Sequence, residues 1–217
     1  MSLLEQYRDV FLVLHIIATS IAVGTATIHD ISFNQQIKFF YSDKWNNRFF
    51  RLFRNLIYSA IFWLLISGNA LFWPLKEQLL ESPVFVLKIL ITGFAALVSF
   101  ILYQFIMPHV PNSLKYSSKQ KLGGNNLLRK LAFSLSAVSL TSWYSLATLG
   151  VVKNLEASFT VLATVFAAFV ILSIILGLIA EHRFSKRFEK QSAETIKALA
   201  NSLLKDISGR ITDFGKN

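Results

Sequence analysis

The chain of 217 residues is 53% hydrophobic, contains 20 Phe and no Cys, and carries a formal net charge of +10. Its apolar runs of about 20 residues have the length that a helix needs to cross a bilayer, so they predict an integral membrane protein. The missing Cys exclude disulfides, thiolate-ligated iron–sulfur clusters and covalently attached c-type haem. The positive charge is typical of cytoplasmic loops beside anionic lipid, and we expect no nucleic-acid partner.

The apolar runs predict an all-α bundle of five transmembrane helices. Each run is continuous and lacks the alternation of a transmembrane barrel, and no segment resembles an independent soluble domain. We expect residues 1–181 to form the transmembrane domain and residues 182–217 to form a cytoplasmic tail. In chain order, the predicted spans cover residues 10–29, 52–73, 83–107, 127–151 and 158–180.

The distribution of basic residues predicts the orientation of the bundle. Of the 22 Lys and Arg, 18 lie in segments that the spans place on one side, namely residues 31–54, 108–130 and 182–217. Because Lys and Arg accumulate on the cytoplasmic side of membrane proteins, the N-terminus is predicted outside and the C-terminus inside. A bacterial inner membrane is the expected location, with anionic lipids at the inner face.

The tail after Glu181 combines apolar residues at helical spacing with interspersed Lys and Arg. This pattern predicts an amphipathic helix that lies on the inner membrane surface or packs against a partner. The apolar positions are Phe184, Phe188, Ile196, Leu199, Leu203 and Ile207.

Two basic residues stand out inside the apolar segments, Lys88 in the third span and His15 in the first. Ser82 and Pro83 are typical of an N-cap and a first helical residue, so they fix where the third helix begins. Counted from the outer border, His15 and Lys88 each lie roughly 7–8 Å deep at about 1.5 Å per residue. Ionisable groups at such depth are costly unless they are paired or bound, so the two residues predict a functional site.

Polar residues on other helices are expected to complete a layer at this depth. We expect Asn69, Thr92 and Ser145 to join His15 and Lys88 in the outer half of the bundle, around a cavity that holds a ligand. Small residues on one face of the first helix are expected to line the same interior, with isoleucines facing lipid. The small residues are Ala18, Thr19, Ala22 and Ala26, and the isoleucines are Ile17, Ile21 and Ile28.

The chemistry of these side chains favours haem. No Asp or Glu lies within the five predicted spans, with Asp30 and Glu181 at inner ends, which argues against a di-iron centre and a carboxylate proton relay. Imidazole is a common axial ligand of haem iron. Lys88 would then be a second axial ligand, if its amine is neutral, or the charged partner of a haem propionate.

The segment Leu14-His15-Ile16-Ile17, followed by Gly24, and Lys88 near the start of the third helix resemble a known family. They look like the small HemJ-type bacterial protoporphyrinogen oxidases and the related CopD-like helical bundles, over about residues 10–105. In the HemJ-type enzymes a histidine and a lysine at these places are associated with haem b and with activity. The resemblance therefore implies a helical membrane fold and a haem b site at His15 and Lys88, but not a particular substrate.

The other three histidines, His29, His109 and His182, are predicted at the inner ends of the spans. His15 and His29 are 14 residues apart on roughly one helix face, a separation that suits two stacked haems. A second haem or a metal site at the inner end is therefore a further hypothesis. Interfacial histidines more commonly contact water and lipid headgroups.

The sequence thus predicts a b-type haem protein that transfers electrons or oxidises a lipophilic substrate, with a quinone or another redox carrier as partner. One alternative is a transporter or channel for a small anionic solute, in which Lys88 is the counter-charge. Another is a non-catalytic membrane subunit in which Lys88 extends its stem to the surface. The substrate, the formation of a homo-oligomer and the presence of enzymatic activity stay open.

Overall fold

The computed structural model describes residues 6–36, 43–109, 126–152 and 157–214. Every regular element in these ranges is helical, which confirms the all-α prediction. The long helices are α1 (Arg8–Gln36), α2 (Asp43–Phe72), α4 (Pro83–Ile101), α5 (Asn126–Val151) and α6 (Phe159–Phe214). A 3₁₀ turn (Trp73–Leu75) and a short helix, α3 (Lys76–Leu80), connect α2 to α4, and a π-helical turn (Leu102–Ile106) extends α4.

Four of these helices are long and apolar enough to cross a membrane. The segments that meet both conditions among the described residues are Arg8–Ser32, Arg51–Leu80, Pro83–Ile106 and Phe159–Arg187. Four of the five predicted spans are confirmed in this sense. The remaining one, α5, is 26 residues long but less apolar than the others, because its sequence is rich in hydroxyl side chains: Ser134, Ser136, Ser139, Thr141, Ser142, Ser145 and Thr148.

The position of α5 in the bundle explains how it tolerates so many hydroxyls. It contacts α1, α4 and α6, so protein rather than lipid covers much of its surface. Ser142 is fully buried and donates to the backbone carbonyl of Val138 at 2.8 Å. A hydroxyl that bonds the carbonyl one turn earlier needs no water. Trp143, also fully buried, fills the centre of the core beside these serines.

Neighbouring long helices run in opposite directions. His15 and His29 of α1 contact Ser67 and Phe53 of α2 respectively, so the residue numbers fall on α2 as they rise on α1. The Arg129–Glu181 ion pair joins α5 to α6. Further along these helices, in the antiparallel sense, Gly177 of α6 lies against the backbone of α5. The arrangement is an up-and-down bundle.

The buried face of α1 agrees with the sequence prediction. Ala18, Ala22 and Ala26 are 3%, 0% and 6% exposed, whereas Ile17 and Ile21 are 50% and 42% exposed. Small residues let α1 approach its neighbours closely, and the isoleucines are left to meet lipid.

The start of α4 is also as predicted. Ser82 is the N-cap residue, with an extended backbone at φ −83° and ψ 114°, and Pro83 is the first helical residue. Proline suits this position because the amide hydrogen that it lacks would have no partner within the helix.

Two acidic residues that the sequence places at the inner ends of the spans, Asp30 and Glu181, make polar contacts between helices. Asp30 and Glu181 fall within the apolar segments of α1 and α6. Glu181 is 3% exposed and pairs with Arg129, a second basic residue of the helical bundle, which is itself 7% exposed. The sequence does not predict this pairing, in which the charges of Arg129 and Glu181 neutralise each other between helices.

The predicted boundary between residues 181 and 182 is not marked by any break in structure. Helix α6 is 56 residues long in all, roughly 84 Å at about 1.5 Å per residue, and it continues through this boundary. No Gly or Pro interrupts the sequence between 178 and 208. Whether the part of α6 after Glu181 lies on the inner membrane surface stays a prediction.

Candidate functional site

His15 is held against α2. Its Nδ1 lies 3.0 Å from the hydroxyl oxygen of Ser67, a side chain that is 0% exposed. Gly68 lies beside the ring, where an added Cβ atom would make an ordinary van der Waals contact, 3.5 Å from Cε1 of His15. His15 itself is half-buried. One helix therefore carries the imidazole and the next helix fixes its orientation.

Lys88 lies close enough to His15 for the two groups to interact electrostatically. Whether the two residues hold a common ligand stays a prediction. Lys88 is half-buried, and no ion pair joins it to a carboxylate among the residues that the structure describes. The site is thus a pair of basic groups without a described counter-charge.

The register of α5 places the end of that helix at the same depth. Ser136 hydrogen-bonds Asp30, which lies 15 residues beyond His15, and Val151 lies 15 residues beyond Ser136. Because α1 and α5 are antiparallel, Val151 is level with His15. The C-terminal carbonyls of a helix carry partial negative charge and favour nearby cations. The end of α5 therefore favours a positive charge at the depth of His15.

Thr92, Asn69 and Ser145 each bond a backbone carbonyl of their own helix. Thr92 lies one turn below Lys88 and donates to its backbone carbonyl at 2.7 Å. Asn69 is exposed, and its amide bonds the Leu65 carbonyl of its own helix. Ser145 lies six residues before Val151, roughly 9 Å deeper than His15, and donates to the Thr141 carbonyl.

These placements have a physical reason. Within apolar surroundings a short polar side chain satisfies itself most simply on the carbonyl one turn earlier in its own helix. Helical spacing predicts which face such a residue occupies, but it does not predict that the side chain turns towards a ligand. Whether Asn69, Thr92 and Ser145 contact a cofactor stays a prediction.

The three inner histidines are not brought together. His29 is 2% exposed and packs edge-to-face against Tyr103 and Phe53, with ring centroids 5.0 and 5.9 Å apart. His109 is exposed with Nδ1 at 2.8 Å from the Phe105 carbonyl, and His182 is exposed. In the described part of the chain no three His, Asp or Glu converge as a metal site would require. A haem site with two axial ligands does not require such a group of three residues.

Sequence reasoning missed the polar contacts that join the helices at the other end of the bundle. Arg129 donates from Nε to Glu181 at 2.6 Å and from its terminal nitrogen to Ser185 at 3.1 Å. Ser136 donates to Asp30 across the α1–α5 interface. The available signal was the opposite charge of Arg129 and Glu181 at neighbouring ends of consecutive spans.

Sequence reasoning also missed Ser67. A lone serine on a helix gives no periodic signal, and its importance depends on its being opposite His15 in an antiparallel pair. Given His15 and the antiparallel arrangement, the depth of Ser67 below Trp73 would have been enough to find it.

No family model matches the chain, and no curated protein or solved structure is significantly similar to it. The likeness to HemJ-type proteins therefore stays a prediction. The chemistry of the site has to be argued from its own residues. These are an oriented imidazole, a nearby amine and the surrounding apolar helices.

Proposed function

We propose that this protein is a b-type haem-binding redox protein of the membrane, with the haem in the half of the bundle that contains His15 and Lys88. We base the proposal on these two residues, a histidine on α1 and a lysine on α4 that interact electrostatically. An imidazole beside a cation that is not ion-paired with a described carboxylate suits a ligand that combines a Lewis-acidic iron with anionic propionates. The donor set present therefore fits haem b.

In this proposal His15 holds the iron through Nε2, the ring nitrogen that Ser67 does not contact. Lys88 either supplies the second nitrogen ligand or pairs with a propionate. Bound haem would supply one-electron transfer, to or from a quinone or another lipophilic redox partner. The chain itself holds the imidazole, provides a positive charge beside it and excludes water with the surrounding apolar helices.

The proposed location is a bacterial inner membrane with the N-terminus outside. The four apolar helices support a multi-pass membrane protein, and the antiparallel packing of α5 against α1 and α6 supports its crossing as a fifth helix. With five spans and the N-terminus outside, the His15–Lys88 site lies in the outer half of the bilayer. Oxidation of a lipophilic substrate would then use the lateral access that lipid provides.

One observation favours a second candidate, a transporter or channel for a small anionic solute. Lys88 makes no ion pair with a carboxylate of the described residues, so an anion entering from the outer side would meet a positive charge. In this candidate Lys88 is essential and His15 is dispensable. In the haem proposal His15 is essential, so the two candidates make different predictions for one substitution.

The test is a titration of the purified full-length protein with haemin, followed by absorption. We expect His15→Ala to abolish the high-affinity complex, because the imidazole is the iron ligand. His109→Ala is the matched control, since His109 is exposed and its ring nitrogen Nδ1 lies 2.8 Å from the carbonyl oxygen of Phe105. Equal haemin affinity in wild type and His15→Ala would contradict the proposal. Anion-dependent stabilisation that requires Lys88, without haemin binding, would favour the transporter.

A further inference from the structure

The hydroxyl of Ser67 is surrounded by three hydrogen-bond partners. Its oxygen lies 2.6 Å from the carbonyl oxygen of Trp63, 3.4 Å from the carbonyl oxygen of Leu64 and 3.0 Å from Nδ1 of His15. The side chain is 0% exposed, so water does not compete for it. A serine hydroxyl has a single hydrogen to donate.

The short contact to Trp63 decides where that hydrogen points. Two oxygen atoms 2.6 Å apart repel unless a hydrogen lies between them, and a carbonyl can only accept. The Ser67 hydroxyl therefore donates to the Trp63 carbonyl. Its oxygen is left as an acceptor towards His15, so the hydrogen of the His15–Ser67 bond belongs to Nδ1.

This assignment also fixes the protonation state of the other ring nitrogen, Nε2. In a neutral imidazole with its hydrogen on Nδ1, Nε2 carries the lone pair. No described residue hydrogen-bonds Nε2 of His15. The ring thus presents an electron pair, and the hydrogen bond to Ser67 holds it in one direction.

We infer that Ser67 is a positioning residue that sets the tautomer of His15, so that Nε2 is committed to a ligand that accepts an electron pair. The identity of that ligand as haem iron rests on the proposed function. A lone pair repels the oxygen atoms of an anion, so the neutral imidazole does not share in anion recognition. Lys88 then recognises the negative charge of a ligand and His15 recognises its metal.

A hydrogen bond to the non-ligating nitrogen of a metal-bound histidine is a general device. Such a partner fixes the tautomer and the orientation of the ring, and its loss typically costs about 10–100-fold in metal affinity. The same range is expected for haemin when the hydroxyl of Ser67 is removed.

The first experiment measures the tautomer directly in the full-length protein without haem. Protein labelled with ¹⁵N-histidine in lipid nanodiscs is studied by NMR at a pH where the ring is neutral, and the His15 signals are assigned by their loss in His15→Gln. We expect Nδ1 to be protonated and Nε2 to be unprotonated in wild type. A wild-type ring with its hydrogen on Nε2 would overturn the inference, whatever the behaviour of any variant.

Variants then test whether Ser67 is the cause. Ser67→Ala should remove the preference for the tautomer with its hydrogen on Nδ1, so that the Nε2-protonated tautomer becomes populated. Ser142→Ala is the control, because Ser142 is also fully buried and bonds a carbonyl one turn earlier, but its hydroxyl oxygen contacts no histidine. An unchanged tautomer in a folded Ser67→Ala protein would show that another group sets it.

Haemin titration separates this inference from the proposed function. The expected result is a loss of about 10–100-fold in haemin affinity for Ser67→Ala and no loss for Ser142→Ala. A wild-type protein with the expected tautomer that binds no haemin would refute the proposed function and leave the role of Ser67 in place. Haemin binding by a protein whose free His15 carries its hydrogen on Nε2 would refute the role of Ser67 alone.

Discussion

At the scale of single residues, Lys88 is the side chain on which the alternative functions differ most. It approaches His15 and has no described ion-pair partner, so a ligand carboxylate would satisfy it. A structural role, in which its stem merely extends to the membrane surface, would make it replaceable by an apolar residue of similar length.

We predict that Lys88→Met weakens haemin binding by about tenfold or more, or shifts the absorption bands of the complex. The reason is the loss of a charge-assisted contact or of an axial nitrogen, and such contacts to charged groups contribute about 1.5–3 kcal/mol. Lys76→Met is the control, since Lys76 is exposed and lies 5.8 Å from the Trp73 ring, away from the basic pair. Identical affinity and spectra in Lys88→Met and wild type would assign Lys88 a structural role.

The sequence places His15 and Lys88 at a similar depth because depth in a transmembrane helix needs only a start point and a residue count. Ser82 and Pro83 supply that start for α4, and the structure begins the helix there. The sequence does not predict which partner each residue meets. That depends on the register between helices, which for His15 is set by Ser67 and Gly68 of α2.

At the scale of helices, Gly177 is the described glycine that lies closest to the backbone of another helix, and it joins α6 to α5. A Cβ atom at Gly177 would lie 2.9 Å from both the Phe133 carbonyl oxygen and the Ser134 Cα. Real Cβ contacts are not this short, so the two helices can pack at this distance only with glycine at 177. Small residues at such positions are a general feature of helix pairs in membranes.

We predict that Gly177→Ala destabilises the folded protein by about 1–3 kcal/mol, the usual cost of overpacking an interface. Gly93→Ala is the matched control, because Gly93 lies within α4 with nothing within 4 Å of the added atom. The measurement is reversible unfolding in mixed micelles, followed by circular dichroism. Equal stability of the two variants would contradict the close approach of α5 and α6.

The Arg129–Glu181 ion pair is a second contact that stabilises the packing of α5 against α6. Both side chains are buried, with exposures of 9% and 4%, and Ser185 accepts a further bond from Arg129. Removing one member of such a pair leaves an uncompensated charge in a medium of low polarity, which is more costly than losing the pair as a whole.

We predict that Arg129→Gln destabilises the protein by about 3–5 kcal/mol, the range typical of a broken buried ion pair. Lys130→Gln, at the exposed neighbouring position, should change stability by less than about 1 kcal/mol. The double variant Arg129→Gln/Glu181→Gln should recover part of the loss, since both charges are gone. A double variant as unstable as the sum of the single variants would show that the two residues do not interact.

Helix positions and lipid-facing surfaces could be predicted from the sequence, but the buried charges could not. Apolar runs define the helices, and the exposed Ile17 and Ile21 follow from helical periodicity. Arg129 and Glu181, however, lie 52 residues apart in the chain, and their charges alone suggest solvent. Their burial depends on the α5–α6 register, which close packing at Gly177 determines.

At the scale of the whole molecule, the protein is an up-and-down bundle in which the polar helix α5 is covered by its neighbours. Whether α5 crosses the membrane decides the placement of both ends of the chain. With α5 as a fifth span, the N-terminus and the C-terminus lie on opposite sides. The basic loops then all face the cytoplasm, as the positive-inside rule requires.

We predict opposite labelling of the two ends of α5. The chain contains no Cys, so single substitutions such as Lys130→Cys and Val152→Cys each introduce one reactive thiol. In intact cells a membrane-impermeant maleimide should label Val152→Cys but not Lys130→Cys, because only the former faces outside. Labelling of both from the same side would show that α5 does not span the membrane.

The most direct test of haem b binding by His15 and Lys88 is the absorption spectrum of the full-length protein purified from haem-replete cells. The oxidised and dithionite-reduced spectra are compared, and a pyridine haemochrome assay gives the haem content. We expect a Soret band, sharp reduced α and β bands and about one haem per chain. A well-folded protein that is colourless, with no haem in the assay, would contradict the proposal.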